Sequence, residues 1–259
     1  MCAVAARLLV VMHVVFVSSS VCVCVCVCLC VYVCLCEYTG GAVAVVAENS
    51  GFLSASDCSF TGNVASSAGG GIFVGSGDGV GISSCVFEVN LVLGILLSDR
   101  VIVSGGGAIA ARNPSPDSYV MDSRFTRNNA KYSVNCNSAS GAPAHGGVGL
   151  GGAIYWAPAV GGSRIDGCTF ERGHACTGGA VASMDATFEV SNVVAADGEA
   201  LSGGVFAFAR VAATITNVTA LRNQGLGVDE YYGGSSWYVA GVLVPSTARL
   251  TAMALQFHS

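Results

Sequence analysis

The 259-residue chain has few charged side chains and almost no lysine. Asp, Glu, Lys and Arg make up 10% of its residues, against roughly 25% in an average globular domain. Lys131 is the single lysine, the net charge is −5 and no basic run is present. The chain therefore lacks the positive surface that a phosphate backbone requires, and we expect no nucleic-acid partner.

Helical periodicity is also missing from the sequence. Beyond residue 39, no window repeats apolar residues at the spacing of about 3.6 that marks a helix, which excludes a solenoid of helix pairs. Glycine is abundant, with 35 residues, and 53% of the residues are hydrophobic. This composition excludes a disordered chain and predicts a β-rich, turn-rich protein with a sizeable core.

Cysteine is plentiful, but most of it cannot form a disulfide framework or a metal site. Eight of the 13 cysteines lie before residue 37, most of them alternating with valine. No histidine or carboxylate accompanies this run, and no separated Cys-x-x-Cys pairs are present, so we predict no metal and no cofactor. A GT dinucleotide repeat also encodes alternating Val and Cys, which leaves a genomic, low-complexity origin of the run open.

Residues 1–39 form an apolar leader. No charged residue occurs from Leu8 to Cys36, which is long enough for a signal anchor spanning a bilayer. Arg7, the following apolar stretch and Ser18 to Ser20 also fit a cleaved signal peptide. Both alternatives send residues 40–259 outward, so we expect a secreted or cell-surface protein whose membrane contact is limited to a retained leader. We also expect the leader to make no packed contact with the coils, because it has no Gly-Gly corner or aromatic residue to match them.

Two motifs recur through the rest of the chain. Gly-Gly-Ala followed by a branched aliphatic residue begins at Gly40, Gly106, Gly151 and Gly178, with looser copies at Gly70, Gly203 and Gly241. Phe-x-x-Asn begins at Phe60, Phe87 and Phe125. Paired glycines suit a corner that needs positive φ or the close approach of another backbone. Repetition of one short unit predicts a solenoid.

Aligning the units on their aromatic residue places an apolar residue five positions earlier and a small residue two positions earlier. This alternation predicts a strand with the small and aromatic residues facing inward. An asparagine at the following corner can stack and hydrogen-bond along the solenoid axis. We expect the cysteines of this register to be buried free thiols. The predicted ladder contains Phe60, Phe87, Phe125 and Phe170, with Cys58, Cys85 and Cys168, and with Asn63, Asn90 and Asn128.

The combination of Gly-Gly-Ala-Ile and Phe-x-x-Asn resembles the repeats of the polymorphic outer membrane proteins. More broadly, it is similar to right-handed parallel β-helix proteins of the pectate-lyase-like superfamily. The resemblance implies an all-β, right-handed parallel β-helix of about seven irregular coils over residues 40–259, incomplete at its carboxyl end. These motifs are structural, and the superfamily includes lyases, hydrolases, adhesins and stalks, so the resemblance implies a fold without an activity.

The acidic residues do not form an obvious catalytic group. A β-helix lyase needs grouped carboxylates that bind Ca²⁺, and a glycoside hydrolase needs two carboxylates about 5 to 10 Å apart. Asp57 and Asp122 share one register, and Asp166 lies one step away. We therefore assign no catalytic and no metal-binding residue and expect no enzyme. The densest polar cluster, interpreted as exposed ion pairs, contains Arg164, Asp166, Glu171, Arg172 and His174.

Two insertions carry the aromatic candidates for binding, since exposed rings on loops combine an apolar face with a polar group. One contains Tyr132 and His145, and the other contains Tyr231, Tyr232, Trp237 and Tyr238. Our hypothesis is a non-enzymatic adhesion protein that contacts glycans or cell-surface proteins through these loops. A polysaccharide lyase or glycoside hydrolase of the same fold is one alternative, and a fragment of a mispredicted gene without independent function is another.

Asn217-Val218-Thr219 is the single N-glycosylation sequon of the sequence. It has meaning for a chain that enters a eukaryotic secretory route.

Overall fold

The computed structural model describes residues 15–17, 20–22, 35–36, 41–45, 52–75, 78–93, 104–130, 149–157, 162–184, 187–200, 203–209, 212–225, 236–239, 242–245 and 249–258. Every regular element in these ranges is a β-strand, and they contain no helix that could cross a membrane. Nearly all strand pairs are parallel and join each strand to its counterpart in the next repeat. This all-β arrangement of stacked parallel strands is that of a β-solenoid.

One wall of the solenoid is a long sheet with two ladders. The first ladder contains Phe52–Ser56, Gly79–Ser83, Tyr119–Met121 and Gly162–Asp166. The second contains Ser59–Thr61, Val86–Glu88, Arg124–Thr126 and Thr169–Glu171. Three longer strands continue both ladders: Thr187–Ala196, Ala212–Leu221 and Arg249–His258.

The opposite wall is an eight-stranded sheet. Its parallel strands are Val43–Val45, Ile72–Val74, Ile109–Arg112, Ile154–Ala157, Val181–Met184, Phe206–Ala209 and Val242–Pro245. Ser236–Val239 pairs antiparallel with Val242–Pro245 at its edge. Smaller pairings join Ser104–Gly105 to Gly149–Leu150, Glu199–Ala200 to Gln224–Gly225, and Val15–Val17 to Ser20–Cys22 in an antiparallel hairpin.

A short ladder contains Leu35–Cys36, Val64–Ala65 and Leu91–Val92. Leu35 pairs with Val64 and Cys36 with Ala65, both in parallel. The expectation that residues 1–39 make no packed contact with the coils is therefore wrong for these two residues. The pairing uses backbone N–H and C=O groups, which every non-proline residue carries, so it needs neither the aromatic nor the glycine signature of the repeat.

The Gly-Gly motif forms a corner for two separate reasons. In five copies the first glycine has a positive φ, with 64° at Gly69 and Gly203, 66° at Gly106 and Gly151 and 69° at Gly178, so the copy predicted from Gly70 begins one residue earlier. The second glycine lies against the next repeat: a Cβ on Gly107 would be 2.1 Å from the carbonyl oxygen of Gly152. A side chain is therefore excluded by conformation at one position and by space at the other.

Two further corners bracket each unit of the second ladder, and the residues there have positive φ. The corner before the strand contains Asp57, Ser84, Asp122, Gly167, Asn192 and Asn217. The corner after it contains Gly62, Val89, Arg127, Arg172, Asp197 and Arg222. Because the side chains at both corners leave the lumen, residues between them alternate between the solvent and the core.

Side chains from both walls fill the lumen. The long sheet contributes Ala55, Ile82, Val120, Ile165, Val190 and Ile215, and the eight-stranded sheet contributes Ile72, Ile109, Ile154, Val181 and Phe206, all of them buried. A second apolar cluster lies on the other side of the eight-stranded sheet and contains Phe73, Ala110, Tyr155 and Ala182 with Ala68 and Leu150. No motif in the sequence indicated this second cluster.

Candidate functional site

The predicted binding residues of the first insertion, Tyr132 and His145, lie outside the described residues, as do Tyr231 and Tyr232 of the second. Trp237 and Tyr238 belong to the strand Ser236–Val239, where Trp237 pairs with Val244 and Tyr238 with Leu243. The expectation of a loop at these two positions is therefore corrected to a β-hairpin. Two residues separate its strands, which is the shortest common hairpin connection.

The predicted aromatic ladder forms one stack inside the lumen. The ring centroids of Phe60 and Phe87 are 4.7 Å apart, and those of Phe87 and Phe125 and of Phe125 and Phe170 are 4.9 Å apart. Neighbouring rings are parallel within 13°. These distances repeat the spacing of parallel strands, so the stack follows directly from the strand register.

The asparagine ladder is buried and continuous. Asn63 Nδ2 donates to Asn90 Oδ1 at 2.8 Å, and Asn90 Nδ2 donates to Asn128 Oδ1 at 2.9 Å. Asn90 and Asn128 also donate to the carbonyl oxygens of Phe60 and Phe87. Each amide therefore links the corner of one repeat to the next and satisfies backbone groups that the corner leaves unpaired.

The cysteine side chains of the ladder lie in the buried core. Cys58, Cys85 and Cys168 are buried free thiols. Burial raises the pKa of Cys85 to about 11 and that of Cys168 to about 12. A thiol with a raised pKa is a poor nucleophile at neutral pH. Cys176, which no motif singled out, is disulfide-bonded.

The outer face of the first ladder is the most distinctive polar surface of the described residues. Its outward row runs through Ser54, Gly81, Tyr119, Arg164, Glu189 and Thr214 in parallel register. A Cβ on Gly81 would be 2.8 Å from the hydroxyl oxygen of Tyr119. The half-buried tyrosine ring therefore lies across the strand below it, where glycine leaves space, and we call this ring the tyrosine platform.

A hydrogen-bonded carboxylate lies beside this platform. Arg164 Nη2 donates to Asp166 Oδ2 at 2.9 Å, while Ser191 Oγ and Asn192 Nδ2 donate to Asp166 Oδ1 at 2.7 and 2.8 Å. The hydrogen bond from Ser191, with further contributions from Asn192 and Arg164, lowers the pKa of the Asp166 carboxyl. The group is therefore a charged hydrogen-bond acceptor rather than a proton donor at neutral pH.

Glu171 and His174 of the predicted cluster each contact a residue outside it, and Glu88 outside the cluster forms a further ion pair. Glu171 pairs with Arg124 at 2.9 Å, and His174 Nδ1 is 3.4 Å from Glu199 Oε2. Glu88 pairs with Arg127. These pairs are solvent-exposed and link neighbouring repeats, as the interpretation of exposed ion pairs predicts.

Asp57 and Asp122 occupy equivalent exposed corners, but the corner of Ser84 separates them. Within the described ranges, no three His, Cys, Asp or Glu side chains converge where they could hold a metal ion. The outer face therefore presents an aromatic ring, a guanidinium group and a carboxylate in one row, at Tyr119, Arg164 and Glu189, with Asp166 beside them. This set of groups is suited to hydrogen bonding and stacking.

No signal in a single repeat marks Tyr119, because the platform depends on Gly81 in the preceding repeat. The register nevertheless contains the information: Gly81 lies six residues before Phe87 and Tyr119 six residues before Phe125.

Comparison with known proteins identifies no relative of the chain. No family model, curated protein or solved structure matches the chain.

Proposed function

We propose that the chain is a right-handed parallel β-helix of about seven coils that contacts carbohydrate without chemical turnover. The parallel register of both walls and the Gly-Gly corners support the β-helix. The proposal also includes export, with the apolar leader as the segment that directs the chain to the cell surface or the medium.

The placement of the Tyr119 ring over Gly81 is the observation that carries the carbohydrate proposal. The apolar face of a sugar ring packs well on an exposed aromatic ring, and its hydroxyl groups need adjacent donors and acceptors. Arg164 and Glu189 follow Tyr119 in the same row, at the spacing of parallel strands. Ring and polar groups are therefore within reach of one saccharide unit.

The insertion residues Tyr132, His145, Tyr231 and Tyr232, together with Trp237 and Tyr238, remain proposed as a second contact surface. Adhesion to glycans or glycosylated surface proteins is the role that both surfaces would share. The platform and the insertions are separate proposals, because each can bind without the other.

A glycan array followed by titration calorimetry of the best ligand tests the platform. Tyr119→Ala should weaken binding by about tenfold, which corresponds to about 1.4 kcal/mol. Tyr119→Phe keeps the ring and should retain most of the affinity. Gly81→Ala should also weaken binding, because the new methyl group displaces the end of the tyrosine side chain. Met121→Ala on the same strand is the matched control.

Two outcomes would contradict the proposal. Unchanged binding in Tyr119→Ala would remove the platform as the contact surface, and a Trp237→Ala, Tyr232→Ala double variant would then test the insertions. Release of unsaturated or reducing-end products from acidic polysaccharides, above a heat-killed control and with or without Ca²⁺, would favour the lyase or hydrolase alternative.

A further inference from the structure

Two asparagines occupy the same corner in neighbouring repeats. Asn192 has a φ of 53° and Asn217 a φ of 50°, and both are exposed. The residues on either side of them are in register, with Ser191 paired to Thr216 and Val193 to Val218. The two side chains therefore leave the coil in the same direction and differ by one step along the axis.

The repeats differ at the next outward position. Val194 follows Asn192 by two residues and is 40% exposed, whereas Thr219 follows Asn217 by two residues and is half-buried. Val194 and Thr219 are themselves paired in register. The backbone geometry is thus matched, and the hydroxyl group two residues downstream distinguishes the two asparagines.

We propose that Asn217 is an acceptor of an N-linked oligosaccharide and that Asn192 is not. In the transfer, Asn217 Nδ2 forms a bond to C1 of the reducing-end sugar of a lipid diphosphate-linked oligosaccharide. The C1–O bond to the diphosphate breaks, the lipid diphosphate leaves with the bonding electron pair, and one amide proton passes to a base of the transferase. The threonine hydroxyl of the sequon is the recognition element that Asn192 lacks.

The folded corner accommodates the product. Asn217 Nδ2 donates to Asn192 Oδ1 at 2.7 Å. A primary amide nitrogen carries two hydrogens, so the glycosylated nitrogen retains one for this bond. Val218, the central residue of the sequon, is 2% exposed and faces the lumen. The sugar therefore extends into solvent without displacing a core side chain.

The site lies at the margin of the outer face described above. Asn192, which accepts from Asn217, donates in turn to Asp166. A glycan on Asn217 is thus two repeats away from the carboxylate beside the tyrosine platform. The acceptor assignment is independent of whether that platform binds a ligand.

The test uses the full chain behind a cleavable secretory signal, expressed in eukaryotic secretory cells, with glycans counted by the mobility shift on peptide-N-glycosidase treatment. The parent chain and Asn192→Gln should each carry one glycan. Asn217→Gln and Thr219→Val should carry none. Val194→Thr should carry two, because it places a hydroxyl group behind Asn192 on an already outward, exposed position.

A secreted parent chain without an enzyme-sensitive glycan, or a shift that persists in Asn217→Gln, would overturn the assignment. A single glycan on Val194→Thr would show that the shared corner geometry is not sufficient, which also contradicts the argument. Mass spectrometry of the treated parent provides a second measurement, since the enzyme converts an occupied asparagine to aspartate.

Discussion

The repeats around Phe87 and those after residue 187 follow the same path but are stabilised in different places. In the earlier repeats, the aromatic and amide positions hold Phe87 and Asn90, both fully buried. In the later repeats, Ala195 and Ala220 occupy the aromatic position. The internal stack therefore ends at Phe170, although the strands continue in register.

The later repeats contain other stabilising contacts, namely buried rings in the eight-stranded sheet and an ion pair on the surface. Phe206 and Phe208 of the eight-stranded sheet are buried, and their rings lie 5.7 Å apart. Both rings belong to the same core cluster as Ala195, and so does the fully buried Trp156 of an earlier repeat on the same sheet. On the surface, Arg222 forms two hydrogen bonds with Asp197 in the preceding repeat.

The coil path therefore does not require one particular side-chain ladder. Backbone pairing and the glycine corners are common to both regions, while the residue at the aromatic position changes from phenylalanine to alanine at Ala195 and Ala220. A motif search tuned to Phe-x-x-Asn therefore loses the later repeats even though their register is intact.

Substitutions in the aromatic stack should reduce stability most. Phe87→Ala removes a fully buried ring that is stacked on both faces and should reduce the free energy of unfolding by about 3 to 5 kcal/mol. Ala195→Gly, at the same position of a later repeat, should cost about 1 kcal/mol. Urea unfolding monitored by circular dichroism measures both, and equal losses would contradict the proposed division.

Replacing the second glycine of the corner by alanine should reduce stability equally in both regions. A Cβ at Gly107 would be 2.1 Å from a backbone carbonyl oxygen, and one at Gly179 would be 2.2 Å from another. Because backbone atoms cannot move as a flexible side chain does, each alanine variant should cost about 3 kcal/mol. Gly162→Ala, with no atom within 4 Å, is the control and should change stability by less than about 0.5 kcal/mol. If Gly179→Ala were as stable as the parent chain, the corner of the later repeats would not exclude a side chain as the earlier corner does.

Removing a side-chain amide should also cost more stability in the earlier repeats than in the later ones, but the difference should be smaller than for the aromatic stack. Asn90→Ala removes the buried acceptor of Asn63 Nδ2 and one of the two donors to Asn128 Oδ1, and it should cost about 2 kcal/mol. Asn223 bonds the Gly198 N–H and the Ala195 carbonyl oxygen but is only half-buried, so Asn223→Ala should cost about 1 kcal/mol. Thermal and urea unfolding of the two variants beside the parent chain provide the comparison, and a larger loss at Asn223 would reverse it.

The smallest effect should depend on pH. Ser191, Asn192 and Arg164 lower the pKa of Asp166 in the folded chain. A lowered pKa contributes stability above the ordinary aspartate pKa of about 3.9, and this contribution is lost as the pH falls through the folded value. Asp166→Asn should therefore be less stable than the parent at neutral pH and approach it near about pH 2. A difference that is independent of pH would show that the charge does not stabilise the fold.

Side-chain patterns within one repeat predicted much of this fold. The alternation around Phe60, Phe87 and Phe125 gave the inward row, and the paired glycines gave a corner whose two requirements the structure displays. Features that depend on two repeats or on backbone groups alone were harder to predict. Tyr119 needs Gly81 in another repeat, and the pairing of Leu35–Cys36 leaves no signature in side-chain type.

The two axial amide chains also have direction. In the lumen, the side-chain amides of Asn63 and Asn90 donate toward later repeats, and the carbonyl oxygens of Phe60 and Phe87 fix this orientation because they can only accept. On the surface, Asn217 and Asn192 donate toward earlier repeats and end on Asp166. The solenoid thus carries two hydrogen-bond relays of opposite polarity, so a repeat could be transplanted along the axis but could not be inverted without placing donor against donor.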